Sequence, residues 1–299
     1  MQALWMLAAS FFFATMAVCI KIASAWFNAS ELVFWRGLIG MGIMALWARS
    51  LRTSLGTHYP VMHAWRSLVG VLSLGAWFYA IAGLPLATAM TLNYMSSVWV
   101  AAFLVGGSLV AWTPRSGPPL PSRQGALALT VLAGFAGVVV MLRPTIDQQQ
   151  VFAGLVGLLS GLLSAFAYLQ VMALGRIGEP EVRTVFYFAV GSAVAGGAGM
   201  LVQGVSPWQW QHAWWLLPMA VLASLGQWCM TRAYSHGPTL VVANLQYSGI
   251  VFGALYSLLL FGDDIPWAGW AGMGLICASG IAATVLRTRA APDAPAEEH

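Results

Sequence analysis

The sequence predicts an all-α, polytopic membrane protein whose ten transmembrane helices form two inverted five-helix repeats. Three observations predict it. Hydrophobic residues make up 60% of the 299 positions and charged residues 7%, whereas about a quarter of a soluble domain is charged. The apolar residues gather into ten runs, each within the length that a helix needs to cross a bilayer, about 20 residues. The first five runs resemble the second five, and two copies of an odd-numbered unit must insert upside down relative to each other. Many transporters use that arrangement to build two related gates around one mid-membrane site.

Taken in order, the runs place spans at Leu4–Ile22, Leu32–Ala48, Trp65–Gly83, Leu86–Val110 and Gly125–Leu142. The second set lies at Phe152–Leu174, Thr184–Val202, Trp214–Tyr234, Thr239–Phe261 and Trp267–Leu286. Residues 1–147 thus form the first repeat, 148–287 the second, and 288–299 a tail rich in Ala, Pro and acid that is expected to be disordered. The first span resembles a signal peptide only in its Ala23-Ser24-Ala25 ending; without a basic residue before it, it is expected to stay in the chain. Cys19, Cys229 and Cys277 fall inside spans, where cysteine serves as a small packing residue.

With ten spans, both termini and the connections after spans 2, 4, 6 and 8 share one side. That side carries Arg49, Arg52, Arg66, Arg115, Arg123, Arg176, Arg183, Arg232, Arg287 and Arg289, ten of the 13 basic residues. The positive-inside rule makes it cytoplasmic. The basic balance, a pI near 9.2, is thereby explained without a nucleic-acid partner.

Shifting the sequence by 151 positions lays spans 3 and 4 over spans 8 and 9. Identities fall at Ser73/Ser224, Gly75/Gly226, Trp77/Trp228, Thr88/Thr239, Asn93/Asn244 and Ser97/Ser248, among others. The Trp, Asn and Ser pairs weigh most, because lipid-facing composition does not supply them by default. The ten-span layout, the joints at Gly83–Ala89 and Gly237–Val242, and the Leu259-Leu260-Phe261-Gly262-Asp263 end of span 9 resemble the drug/metabolite transporter superfamily, EamA type. The Trp and Tyr content and overall pattern are most similar to YddG-type exporters of aromatic amino acids. The resemblance implies a basket-like bundle with spans 1, 3, 4, 6, 8 and 9 around a central cavity. Ser96-Ser97 and Ser248-Gly249 stand where many relatives carry Glu-Pro.

Amides and hydroxyls within spans favour the bundle interior, because an unpaired polar group facing hydrocarbon costs several kcal/mol by order of magnitude. The candidate substrate-binding residues are Tyr79, Asn93, Tyr94, Ser97, Trp99, Tyr168, Gln227, Asn244, Gln246 and Tyr247. The competing reading for each is a hydrogen bond between packed helices. Most tryptophans lie at span ends, as an aromatic belt does. Trp77, Trp99 and Trp228 are deeper and could stack on a flat solute.

No Asp or Glu lies well inside a span, which argues against proton coupling through a buried carboxylate. Lys21 and Arg36 are the only bases near the interior, so a net-neutral solute is expected rather than a phosphate. No catalytic residues, metal site or cofactor are expected, since phosphate loops, metal-binding His pairs and nucleophile elbows are missing. The expected partners are the lipid bilayer and a neutral amphipathic amino acid, aromatic or otherwise hydrophobic, exported by alternating access. Export of other metabolites or drugs, and a non-transporting scaffold, remain the alternatives.

Overall fold

The structure, a computed structural model, describes residues 4–96, 148–237 and 245–290, with positions 98, 99, 103, 129, 132–134, 136, 137, 140 and 242 between them. Every regular element among these residues is helical. The elements are α1 (Trp5–Ala23), α2 (Ala29–Ser50), α3 (Pro60–Gly83), α4 (Leu86–Tyr94), α5 (Gln148–Arg176) and α6 (Glu181–Gln203). A helical turn at Trp210–Ala213 then leads into α7 (Leu216–His236), α8 (Ser248–Leu260) and α9 (Trp267–Ala290). Six of the described helical segments are long and apolar enough to cross a membrane by length and composition: α1, α2, α3, α6, Gln150–Arg176 and Trp210–His236. The protein is therefore a multi-pass membrane protein. Parts of the predicted fourth, fifth and ninth spans lie outside the described residues.

Local chemistry sets the ends of these helices. Asn28 and Glu31 cap α2 reciprocally: Asn28 Oδ1 accepts from the Glu31 N–H at 3.0 Å, and the Asn28 N–H donates to Glu31 Oε2 at 2.8 Å. Pro60 opens α3, where its missing N–H costs nothing. Helix α3 consequently begins five residues before the predicted span. The α3–α4 joint breaks through extended backbone at Leu84 (φ −123°, ψ 161°), and α7 ends the same way at Gly237 (φ −96°, ψ 156°).

The bundle pairs α2 with α6, α3 with α5 and α1 with α7, while α4 packs on α5 and α8. Hydrocarbon gives helices little solvophobic reason to associate, so close approach of small residues matters. At the α2–α6 crossing a Cβ on Gly37 would collide with the Ala193 backbone nitrogen, and one on Gly196 with the Phe34 backbone. The interior is filled by Met16, Ile20, Phe78, Ile81 and Met90.

Candidate substrate-binding site

Near the middle of the bundle lies a cavity of about 60 Å³, room for a few waters. Its floor is polar. On α5, Ser160, Ser164 and Tyr168 recur at four-residue spacing, so they share one face. Asn93 of α4 reaches that face, its Nδ2 donating to Ser160 Oγ at 3.0 Å and Ser164 Oγ at 3.2 Å. From α3, Ser73 Oγ donates to the Ser160 carbonyl at 2.8 Å and lies 2.7 Å from Ser164 Oγ. The opposite walls are aromatic and apolar: Phe13, Met16, Trp77, Tyr94, Phe188 and Met230, with Gln227 of α7 completing the ring.

Of the predicted site residues, Asn93, Tyr94, Tyr168 and Gln227 line this cavity. Gln246 stands behind it. Its Oε1 accepts from the Tyr234 hydroxyl at 2.9 Å and its Nε2 donates to the Tyr168 hydroxyl at 3.1 Å, so it positions Tyr168. Tyr247 is buried in the main core cluster. Trp99 is not a lining residue; it stacks on Phe103, which stacks on Phe166. Tyr79 lies outside the cavity, 45% exposed and edge-on to Phe152. Two residues apart on a helix are turned by about 200°, so Trp77 and Tyr79 cannot both face inward. Trp228 packs with Trp5 and Trp47 rather than in the cavity. Ser97 and Asn244 lie outside the described residues.

Two further lining residues, outside the predicted site set, are charged. Arg36 of α2 and Arg66 of α3 both line the cavity, with only 4% and 2% of their surface exposed. Arg66 belongs to the interior because α3 starts at Pro60: at 1.5 Å per residue it sits about 9 Å along the helix. Arg36 enters from the opposite end of the bundle, since α2 and α3 are consecutive antiparallel spans. The two guanidiniums meet at Phe188, with Cζ atoms 5.0 Å and 4.2 Å from its ring centroid. Arg36 Nη1 also approaches Ser192 Oγ at 3.5 Å. No ion pair to either arginine is found among the described residues. Arg36 Nε, Arg66 Nε, Arg66 Nη1 and Trp77 Nε1 are buried without a hydrogen bond. Every unpaired buried atom of the lining residues is thus a donor.

Magnitudes show that the pair is uncompensated. A cation over an aromatic ring gains about 0.5–2 kcal/mol, while removing an ion from water costs several kcal/mol even after relaxation. The expectation of a net-neutral solute counted Lys21 and Arg36 as the bases near the interior, and Arg66 joins Arg36 in the cavity lining. The sequence signal was present, because an ionisable residue within a span is a functional candidate by default.

Polar seams lie at both ends of the bundle. At the end where α3 starts, Glu179 accepts from Thr57 Oγ1 at 2.5 Å and Arg183 Nη1 at 2.7 Å, and His63 Nε2 lies 3.6 Å away. Arg183 Nε and Nη2 both donate to the Ser54 carbonyl. Burial pushes the Glu179 carboxyl up, but the hydrogen bonds from Thr57 and Arg183 and the nearby positive charge outweigh it, holding it below the ordinary value. At the opposite end Glu31 accepts from the Ser206 N–H at 3.0 Å and hydroxyl at 2.6 Å, and Trp26 stacks on His212.

A polar, aromatic cavity enclosed by membrane-spanning helices defines a small-molecule membrane transporter. The chain is 32% identical over 258 residues to the pseudopaline exporter CntI of Pseudomonas aeruginosa, which covers 86% of each protein. It belongs to that transporter family. An uncharacterized transporter of Helicobacter pylori is 26% identical over 92% of this chain and 91% of its own length. A riboflavin transporter of Rhizobium johnstonii is 27% identical over 93% and 89%. A solved crystal structure shares the fold with a TM-score of 0.67 and 18% identity, over 96% of this chain and 98% of that one. No protein-family model matches the chain.

Proposed function

We propose that the protein exports small amphipathic, amino-acid-like metabolites across a bacterial inner membrane by alternating access, without obligatory proton coupling. The observation that carries this reading is the central cavity, where Asn93, Tyr168 and Gln227 offer polar groups and Trp77, Tyr94 and Phe188 aromatic faces. Pseudopaline and riboflavin, named for relatives, are likewise small metabolites. At about 60 Å³ the cavity is too small for an amino acid, so helices must part to admit one. The seams around Glu179 and Glu31 are the two gates in this reading.

Helix pairing supports ten spans in two inverted repeats of EamA type. A two-fold that exchanges the halves maps span 1 against span 8 onto span 6 against span 3, and leaves span 2 facing span 7. The pairs α1–α7, α3–α5 and α2–α6 follow that pattern. The extended joints at Leu84 and Gly237 fit the same symmetry and supply the hinges. Arg49, Arg52, Arg176, Arg183 and Arg232 gather at the end bearing Glu179, which supports a cytoplasmic placement of that end by the positive-inside rule.

The test is efflux from proteoliposomes loaded with labelled tryptophan, phenylalanine, leucine or riboflavin. Saturable efflux of any of these above protein-free vesicles is the expected result. Flux indistinguishable from empty vesicles for all of them would overturn the proposal in favour of a scaffold.

A further inference from the structure

We infer that the exported solute carries a carboxylate, and that Arg36 and Arg66 bind it beside Phe188. The inference rests on the export reading and narrows it to a substrate class. Two guanidiniums, both nearly fully buried, approach one cavity from opposite ends of the bundle. Four of the described acids are engaged elsewhere, Glu31 in the α2 cap, Glu179 with Arg183, Glu181 near Arg232 and His236, and Asp263 on Ser257, and Asp264 lies in the connection after α8. The unpaired buried atoms of the lining residues are all N–H groups, three on the arginines and one on Trp77.

Such a cavity is incomplete without an acceptor of negative charge. A carboxylate meets that demand in geometry as well as charge. Its two oxygens offer lone pairs to several donors at once, and guanidinium forks match that spacing. Ser73, Ser164 and Asn93 already satisfy one another around the floor, which leaves the arginines, with Trp77 Nε1, as the buried donors in search of a partner. The aromatic walls would hold the solute's apolar body while the carboxylate sits at the arginine end. An amide could accept from the same donors but would leave both charges uncompensated.

Two probes that differ only in this group, N-acetyl-tryptophan and N-acetyl-tryptophanamide, test the inference on the purified full-length protein by calorimetric titration. The acid is expected to bind at least tenfold more tightly, a difference of about 1.4 kcal/mol or more. In Arg66→Met and Arg36→Met the preference should fall below about threefold, given comparable thermal melts. Arg66→Lys, which keeps the charge and loses the fork, should retain part of it and covers the case in which the Met variant does not fold. Absence of acid preference in the wild type, or its persistence in the folded variants, would overturn the carboxylate site. Efflux of the two probes from proteoliposomes separates the two claims. Equal efflux of acid and amide sinks the carboxylate site and keeps the exporter; acid-selective binding without efflux of either sinks the exporter and keeps the site.

Discussion

The chain Tyr234–Gln246–Tyr168 offers a stability test whose size follows from the hydrogen-bond inventory. Replacing Gln246 by Leu keeps the side-chain volume but removes the acceptor of the Tyr234 hydroxyl and a donor to the Tyr168 hydroxyl. Tyr168 only accepts from Gln246, so the change leaves its own O–H unaffected and its share of the loss is small. Tyr234, 7% exposed, is left with a stranded O–H. A stranded buried donor costs about 1–3 kcal/mol, which lowers the apparent melting temperature of a chain this size by roughly 2–10 °C. Tyr234→Phe alone should cost less, because it strands only one lone-pair site of Gln246 Oε1. The double variant should recover most of the loss, since replacing both partners by apolar groups of the same shape is nearly neutral. Scanning fluorimetry of the four proteins in one detergent closes the cycle. Losses that simply add would show that the two side chains do not depend on each other and refute the reasoning.

Trp77→Ala should weaken binding of an aromatic solute by roughly three- to tenfold, from about 0.5–1.5 kcal/mol of stacking, while Trp99→Ala should leave it within about twofold; concentration-dependent efflux measures both. Gly37→Leu forces a side chain against the Ala193, Ala189 and Ser192 backbone, so a loss of at least about 1–3 kcal/mol is expected, seen as lower expression and an earlier melt. Glu179 has a depressed folded pKa, so its contribution is present above the ordinary value of 4.5 and is lost as pH falls through the folded one. Glu179→Gln should therefore lower the melting temperature at pH 7 and flatten its decline below about pH 4.5.

Most of the helical framework was legible because membrane-length apolar runs leave few alternatives. Spans 1, 2, 6, 7, 8 and 10 match their helices to within a turn or so at each end. The cavity was half legible. Asn93, Tyr94, Tyr168 and Gln227 were readable because polar groups in hydrocarbon must point inward. Tyr79 shares a span with Trp77 but not a face, and it lies outside the cavity. Arg66 was missed for a different reason: hydropathy marks where apolar residues begin, whereas α3 begins at Pro60, and His63 and Arg66 ride inside it on buried surface. The positive-inside count then absorbed Arg66 as an ordinary flanking charge. Gln246 supports Tyr168 from another helix, a contact that depends on tertiary packing and leaves no mark in the local sequence.

A solute whose carboxylate has no ammonium to balance it, such as N-acetyl-tryptophan, changes how export can be driven. The described acids Glu31, Glu179, Glu181, Asp263 and Asp264 all lie at helix ends or in connections, so no mid-membrane carboxylate among them can exchange protons for cargo. A potential of 100 mV, negative inside, favours exit of one negative charge by about 2.3 kcal/mol, or a concentration ratio of roughly 50. An anion exporter therefore needs no proton step. If Arg36 and Arg66 stay in the protein while the anion leaves, one negative charge moves per turnover. Efflux of N-acetyl-tryptophan from proteoliposomes should then accelerate when valinomycin and an outward potassium gradient make the interior negative. The amide, carrying no charge, should not respond. Acid efflux that ignores the potential, or that follows an imposed pH gradient and collapses with a protonophore, would show that another group carries compensating charge through the cycle.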